Sequence, residues 1–325
     1  MDPRLIPLED AERRVNRPTL EIVNAADLIG RTFPEPKYIV PGLIVEGLTV
    51  FGGKPKIGKS WAALNIAHAV AAGTKALGNI AVEPGEVLYL ALEDTQRRLQ
   101  GRLKTILQGA APSDRLEFVT HWPRLDAGGL DDLDLWCREH PAARLIVIDT
   151  WARVRPAARK GRSFYDDDYA AVEPLKELAD RHAVGIVLVH HLRKQVADDP
   201  LDEVSGSTGL TGAADSVLIL KRERAQADAV LHATGRDIEE SETAMQFDRE
   251  TGAWTCLGNA NDFRHSREQM AVIRALGDSA VPLKPKELAD ILDKPRAAVK
   301  MMLSRMAKDG SVRSDGHGGY TLPTT

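Results

Sequence analysis

Cysteine is scarce in this sequence of 325 residues, which contains only Cys137 and Cys256. Two cysteines provide neither a disulfide framework nor the spacing of a metal site, so we expect both to be reduced. Long apolar segments are missing as well, because no run approaches the roughly 20 residues that cross a bilayer. The first residues, Met1–Arg4, lack the apolar core of a secretory signal. These absences predict a cytoplasmic, globular protein with no membrane segment.

A strong net charge is also absent, since 43 Lys/Arg and 47 Asp/Glu residues give −4 at pH 7. The total charge therefore does not identify a nucleic-acid-binding protein. The distribution is uneven, however. Residues 262–325 contain 11 Lys/Arg and 8 Asp/Glu residues, and the rest of the chain has a net charge of −7. A basic end on an acidic body weakly indicates a separate role for that end.

The most informative stretch is residues 53–60, where a glycine and four further residues precede Gly-Lys-Ser, the pattern of a phosphate-binding loop. Residues 48–51 predict a buried strand before it, and residues 61–70 predict an alanine-rich helix after it. A loop in this position aims backbone N–H groups and a helix N-terminus at an anion. We therefore predict that the chain binds a nucleoside triphosphate. The predicted binding residues are Gly53, Lys54, Pro55, Lys56, Ile57, Gly58, Lys59, Ser60 and Trp61.

Four side chains have specific roles in this predicted site. Lys59 would reach the β- and γ-phosphates, and the Ser60 hydroxyl would ligate Mg²⁺. Asp149 ends an apolar run that predicts a parallel strand. The aspartate that holds the Mg²⁺ shell in phosphate-loop ATPases occupies the same position, at the end of a strand. Glu93 follows another such run, and ligands of open α/β sheets collect at these strand ends. As the remaining strand-end carboxylate, Glu93 is predicted to act on the attacking water.

The order of predicted elements indicates the fold. Strands alternate with helices up to about residue 190, and a run of hairpins follows, which predicts an α/β fold with a mostly parallel sheet extended by antiparallel strands. We divide the chain into an N-terminal arm (1–36), an ATPase domain (37–260) and a C-terminal domain (261–325).

The C-terminal domain has a pattern of its own. Helices are predicted at 266–276, 286–292 and 295–308, and a glycine-turned hairpin follows, which predicts a winged helix-turn-helix. Asp293 is the predicted cap of the third helix. Arg296 and Lys300 lie away from its apolar stripe of Val299, Leu303 and Met306. Such small domains bind DNA or proteins, and the basic face favours DNA.

With these landmarks, residues 38–254 resemble the RecA-like ATPases, and most of all the plasmid RepA-type hexameric helicases. The resemblance rests on the phosphate loop, on Glu93 and Asp149 at their strand ends, and on Val189–Lys194 and Gly235–Asp237. It implies ATP as the nucleotide and a ring of subunits, with each site completed by a neighbour.

The resemblance also implies roles for several further residues. Val189–Lys194 is similar to the family's sensor strand and the start of a DNA-facing loop, which assigns His190 to sensing and Arg193 and Lys194 to DNA. His190 has an alternative interpretation as a buried, hydrogen-bonded histidine. Arg236 occupies the place of an arginine finger that acts on the neighbouring subunit. The lysine that DnaB-type relatives carry two residues earlier is Thr234 here, so Arg236 also remains open to interpretation as a surface arginine.

The sequence therefore predicts a DNA-dependent, ring-forming ATPase, a replicative helicase or loader of a plasmid or mobile element. Single-stranded DNA would pass through a central channel of a hexamer, held by the basic stretch that contains Arg155 and by the loop after residue 192. The alternatives are an ATP-switched, site-specific DNA-binding regulator and a RecA-like ATPase that acts on a protein partner.

Overall fold

The computed structural model describes residues 22–157, 164–192, 209–222, 228–279, 281–308 and 310–323. Contacts divide the chain into two units, residues 1–36 and 37–325. In the first unit, a short helix begins after Asn24, whose side-chain oxygen accepts a hydrogen bond from the Asp27 backbone N–H at 2.9 Å. The predicted division at residue 260 stays a prediction.

The helices and strands of the described residues alternate through most of the chain. The helices are α1 (Ala25–Gly30), α2 (Lys59–Ala72), α3 (Gln96–Leu107), α4 (Gly129–Glu139), α5 (Phe164–His182), α6 (Gly209–Ala213), α7 (Ala260–Gly277), α8 (Pro285–Leu292) and α9 (Arg296–Lys308). The strands are β1 (Tyr38–Val40), β2 (Ile44–Val45), β3 (Gly47–Gly53), β4 (Lys75–Ala76), β5 (Ile80–Ala81), β6 (Glu86–Ala91), β7 (Leu116–Val119), β8 (Ala143–Asp149), β9 (Gly185–His191), β10 (Ser216–Arg222), β11 (Asp228–Gly235), β12 (Ser241–Phe247), β13 (Trp254–Asn259), β14 (Arg313–Ser314) and β15 (Tyr320–Thr321).

Within the described residues, nine strands form one sheet in the order β13-β12-β11-β10-β3-β9-β8-β6-β7. The six strands from β10 to β7 are parallel, and β11, β12 and β13 extend β10 as antiparallel neighbours. The predicted α/β fold, a mostly parallel sheet with an antiparallel extension, is confirmed. β3 is buried at every position, as expected for a parallel strand covered on both faces.

Each parallel strand contributes alternate residues to two apolar cores, one on each face of the sheet. In β8, Leu145 and Val147 belong to the core that contains α2, whereas Ile146 and Ile148 belong to the core that contains α5. The same alternation in β9 places Val187 and Val189 with α2. Side chains alternate between the two faces along a strand. The positions of these buried side chains therefore determine the face toward which the last residue of each strand points.

Helix α2 packs closely against the sheet because it consists largely of small residues. Ala62, Ala63, Ala67 and Ala71 are at most 2% exposed. The helix begins at Lys59, directly after the loop that leaves β3, and ends at Gly73, which has a φ of +66°. The sequence thus places a helix N-terminus at the carboxyl end of the central strand, as predicted.

The C-terminal residues form α7, α8 and α9 with an antiparallel β14–β15 pair. Their shared core includes Val299, Leu303 and Met306, the predicted apolar stripe, and all three are fully buried. Asp293 differs from the prediction, because it ends α8 in a left-handed conformation, φ +50°, instead of capping α9. The winged-helix assignment stays a prediction.

Two further observations concern the helices. The aspartates Asp166 and Asp167 lie in the first turn of α5, where their negative charge complements the helix dipole. In the described part of the chain, no helix combines the length and apolar character that a membrane span requires.

Candidate nucleotide-binding site

The phosphate loop lies between β3 and α2, at the carboxyl edge of the parallel strands. Gly58 precedes α2 with a φ of +106°, a conformation that favours glycine. A Cβ at this position would also lie 2.9 Å from the Trp254 ring. The predicted residues 53–61 are therefore together at one helix N-terminus, with glycine where the backbone needs it.

Lys59 is buried in this loop without an ionic partner at contact distance among the described residues. Its Nζ donates to the carbonyl oxygens of Gly53 at 2.5 Å and Lys54 at 2.9 Å, and lies 3.2 Å from His191 Nδ1. The residue is only 4% exposed, and this burial lowers the pKa of Lys59 to about 8. Nearby Asp149 and Glu93 oppose the shift through space. The ammonium group is held by neutral acceptors, so an anion would gain a strong interaction here.

Asp149 stands at the end of β8, and its carboxylate contacts two hydroxyl groups. Tyr89 donates its hydroxyl to Asp149 Oδ2 at 2.9 Å, and the Ser60 side chain also hydrogen-bonds the carboxylate. Burial raises the pKa of Asp149, and both hydrogen bonds act in the opposite direction. The predicted metal residues Ser60 and Asp149 thus lie close together and line the same cavity.

Glu93 follows β6 and is more exposed than Asp149. Its side chain is 46% exposed, with Oε1 3.7 Å from Arg153 Nε and Oε2 3.8 Å from His191 Nε2. Glu93, Asp149 and Ser60 line one cavity of about 210 Å³. The carboxylate therefore has access to solvent beside the predicted metal residues, as a residue that acts on water needs.

His190 and His191 point to opposite faces of the sheet. His191 contacts Lys59 and Glu93, on the α2 face. His190 alternates to the α5 face, where burial lowers its pKa to about 4 and the charge of Asp168 opposes that shift. The structure brings His191 to the phosphate loop, whereas the sequence pattern had pointed to His190 for sensing.

Arg236 lies at the opposite, amino edge of the parallel strands. Gly235 pairs with Ser216 of β10, and Ser216 pairs with Thr49 of β3. Thr49 lies four residues before Gly53, a distance of about 13 Å along the strand. The guanidinium is 57% exposed and contacts the Gly212 carbonyl at 3.3 Å and Asp215 at 3.7 Å. Arg236 is therefore not part of the phosphate site of its own chain, and its finger role stays a prediction.

The predicted DNA-binding residues fall into three groups. Arg193 and Lys194 lie outside the described residues. Arg155 is paired with Asp168 at 2.5 Å, so its charge is already partnered within the chain. Arg296 and Lys300 are exposed on α9.

Two aromatic residues that no local sequence pattern indicates, Trp254 and Phe247, lie beside the predicted Trp61 at the loop. Trp254 in β13 donates its indole N–H to the Gly58 carbonyl at 3.1 Å, and its ring lies 5.0 Å from that of Phe247. Phe247 in turn lies 6.1 Å from Trp61, whose ring the Arg102 guanidinium covers at 5.5 Å. Trp61, Phe247 and Arg102 line a cavity of about 330 Å³ beside the loop. Hairpin β12–β13 is therefore a wall of the site.

Several residues of this site could hold a metal ion and phosphates. A hydroxyl and a carboxylate are the hard oxygen ligands that Mg²⁺ prefers, and Ser60 and Asp149 supply them. Lys59 and the N-terminus of α2 supply positive charge beside them. The residues present fit Mg²⁺ together with a nucleoside triphosphate.

This fold and site define a class, the P-loop ATPases with a RecA-like sheet. The chain belongs to the AAA domain family (AAA_25), whose sequence model matches residues 11–197, more than half of the chain. No curated protein matches it.

Many solved structures are similar in fold, and two of them serve as examples. One is an ATPase domain, with a TM-score of 0.53, 16% identity, and coverage of 65% of this chain and 85% of that chain. The other is a DnaB-like replicative helicase, solved in a study of its interactions with primase, with a TM-score of 0.52 and 16% identity. The second match covers 65% of this chain but only 57% of that chain. At this identity, the similarity establishes the fold.

Proposed function

We propose that the protein is a DNA-dependent ATPase that forms a hexameric ring, a RepA-like replicative helicase of a plasmid or mobile element. The observation that carries this proposal is the convergence of Lys59, Ser60, Asp149, Glu93 and His191 at one edge of the sheet. The fold similarity to a DnaB-like replicative helicase supports the helicase type.

The residues of the site have distinct roles in this proposal. Lys59 and the backbone N–H groups of the loop bind the phosphates of ATP. Ser60 and Asp149 would hold Mg²⁺, which would supply positive charge against the phosphates. Glu93 orients the attacking water and accepts its proton, since it is the solvent-accessible carboxylate of the site.

His191 is the residue we assign to sensing the γ-phosphate. Its ring stands between Lys59 at 3.2 Å and Glu93 at 3.8 Å, so a phosphate bound by Lys59 would change the contacts of the imidazole. A change at His191 would then reach Leu192, which directly precedes the predicted DNA-binding residues Arg193 and Lys194. Arg236 acts on the site of the neighbouring subunit, and single-stranded DNA lies in the central channel.

The experiment is ATP turnover with and without single-stranded DNA, on the wild type and on Glu93→Gln. We expect stimulation by DNA in the wild type, and loss of turnover with retained ATP binding in Glu93→Gln, because the amide cannot accept a proton. Glu139→Gln is the matched control, since Glu139 is exposed on α4. Normal turnover in Glu93→Gln would disprove the role of Glu93.

A second candidate is an ATP-switched regulator that binds a specific duplex site. The exposed Arg296 and Lys300 on α9 favour it, because cations on an outward helix face can contact DNA phosphates. Turnover that single strands do not affect would favour this candidate, and footprinting on a defined site would then separate it from an ATPase that acts on a protein. Unwinding of a forked duplex would select the helicase.

A further inference from the structure

The hydroxyl of Tyr89 is buried at the nucleotide site without a role in the chemistry above. Tyr89 lies in the middle of β6 and is 2% exposed. A buried tyrosine hydroxyl needs a hydrogen-bond partner, because leaving it unpaired costs free energy. The choice of partner therefore shows what this side chain does.

Two acceptors lie within reach of the Tyr89 hydroxyl. Asp149 Oδ2 is 2.9 Å away, whereas the Ser60 carbonyl is 3.5 Å away, at the limit of a hydrogen bond. Tyr89 thus donates to Asp149. A hydrogen bond to an ionised carboxylate is stronger than one between neutral groups.

The sheet register explains how the tyrosine reaches the carboxylate. Tyr89 pairs with Val147 on β8, and Ala91 pairs with Asp149, so Tyr89 stands two residues behind the carboxylate on the adjacent strand. Residues two apart on a strand share a face, and the side chain extends along that face toward the carboxyl edge. The ring of Phe118, 5.7 Å from that of Tyr89, packs beside it. Tyr89 is therefore held in place by the sheet and by packing.

We propose that Tyr89 is a positioning residue, which fixes the Asp149 carboxylate toward the cavity that it lines with Ser60, where Mg²⁺ would bind. This role for Tyr89 rests on one part of the proposed function, namely that Ser60 and Asp149 bind Mg²⁺. Groups that hydrogen-bond a metal ligand orient it, and their removal typically costs about 10- to 100-fold in metal affinity or activity. A purely structural tyrosine would affect stability without changing the dependence on Mg²⁺.

The test is Tyr89→Phe in the full-length chain, with the binding of a fluorescent ATP analogue measured as a function of Mg²⁺ concentration. We expect the Mg²⁺ concentration for half-maximal tightening to rise about 10-fold, because Asp149 loses its orienting partner. Binding without Mg²⁺ should stay within about twofold, because Lys59 and the loop are intact.

Tyr38→Phe is the matched control. Its hydroxyl donates to the Asp237 carbonyl at 2.8 Å, beside Arg236 at the amino edge, so its removal should leave the Mg²⁺ midpoint unchanged. Tyr89→Phe combined with Asp149→Asn should show no further Mg²⁺ effect beyond Asp149→Asn alone, because the tyrosine acts through the aspartate. An unchanged midpoint in folded Tyr89→Phe would overturn the proposal.

A second measurement does not depend on the folding of the variant. In wild-type protein labelled with 3-fluorotyrosine, the ¹⁹F resonance of Tyr89 should shift when Mg²⁺ is added to the nucleotide complex, and that of Tyr38 should not. The absence of a shift would reject the proposal. Mg²⁺-dependent binding without stimulation by DNA would leave the role of Tyr89 standing and remove only the helicase function.

Discussion

The two edges of the parallel sheet both contain buried charges, but Asp215 at the amino edge has a close ionic partner that Lys59 and Asp149 at the carboxyl edge lack among the described residues. At the amino edge, Asp215 accepts hydrogen bonds from Lys176 Nζ at 2.6 and 2.7 Å and from the Leu48 backbone N–H at 2.9 Å. Gly47 has a φ of +105°, and a Cβ there would clash with the Asp215 carboxylate. The chain is thus shaped around a satisfied ion pair.

At the carboxyl edge, the described residues give Lys59 and Asp149 no such partner, although Asp94 there is paired with Arg98 and Arg102 at 2.7 Å. Lys59 bonds two carbonyl oxygens and faces an imidazole, and burial raises the pKa of Asp149 while it lowers that of Lys59. Both pKa shifts mean that contacts within the chain do not fully offset the cost of burying the charged forms of these two side chains. The paired Asp215 at the amino edge stabilises the fold, whereas the under-compensated Lys59 and Asp149 at the carboxyl edge identify the ligand site.

Arg236 provides the most demanding test of this comparison, because it lies at the amino edge but is proposed to act at a carboxyl edge in trans. Arg236→Ala should lose about 10³-fold in turnover, since fingers of this type contribute at least that much. Nucleotide affinity and assembly, measured by analogue binding and light scattering, should stay unchanged. Arg249→Ala, at an exposed turn arginine, is the control.

Mixed assemblies distinguish action in trans from action in cis. Neither Arg236→Ala nor Glu93→Gln subunits should be active alone. In a mixture, the site of an Arg236→Ala subunit beside a Glu93→Gln neighbour regains both groups, so partial turnover should return. A mixture as inactive as its components would contradict the trans role.

The ion pair at the amino edge predicts the next largest effect. Lys176→Met leaves the Asp215 carboxylate, 10% exposed, without its closest cation, and breaking a buried pair costs about 3 kcal/mol. Chemical denaturation should show this loss, whereas analogue binding by the folded variant should stay within about twofold. A variant as stable as the wild type would show that the pair is dispensable.

Lys59→Met is the matched variant at the other edge. It removes a desolvated ammonium group that contacts no carboxylate among the described residues, so the free energy of unfolding should change by no more than about 1 kcal/mol. Nucleotide affinity should fall by about 100-fold, because a charged hydrogen-bonding group is lost. Equal destabilisation by both variants would remove the distinction between the edges.

His190 predicts a smaller, pH-dependent effect. Its pKa is lowered from 6.5 to about 4 by burial, so the unfolded chain binds more protons between these values. Stability is therefore highest above pH 6.5 and falls as the pH drops toward 4, by at most about 3 kcal/mol. His190→Asn should reduce this slope in denaturation at several pH values, and the exposed-site control His121→Asn should not. An unchanged slope would show that His190 is not desolvated in the folded protein.

The sequence predicts the site best where the signal is local. The phosphate loop is contiguous, and Asp149 and Glu93 follow apolar runs whose carboxyl ends meet at one edge of a parallel sheet. The order of strands and hairpins likewise predicts the parallel sheet and its antiparallel extension.

Side-chain direction and long-range contacts were harder to predict. The choice between His190 and His191 depends on which of the two points to the face of the sheet that carries the phosphate-loop helix. Val187 and Val189 could have indicated the answer, because they share that face with His191. The Asp293 error arose because one residue can end a helix or begin the next. No local sequence pattern predicts the roles of Trp254 and Asp215, because the residues that they contact lie far away in the chain.

The hydrogen bond between Trp254 and Gly58 joins residues 196 positions apart. Asn65 strengthens the same link, accepting from the Trp254 backbone N–H at 2.7 Å and donating to the Gly252 carbonyl. Closing a contact of such long range costs entropy, because it restricts the whole intervening chain. During synthesis, the phosphate loop leaves the ribosome long before the strand that supports it. A nascent chain thus acquires its complete nucleotide site only after the last strand of the sheet has been made.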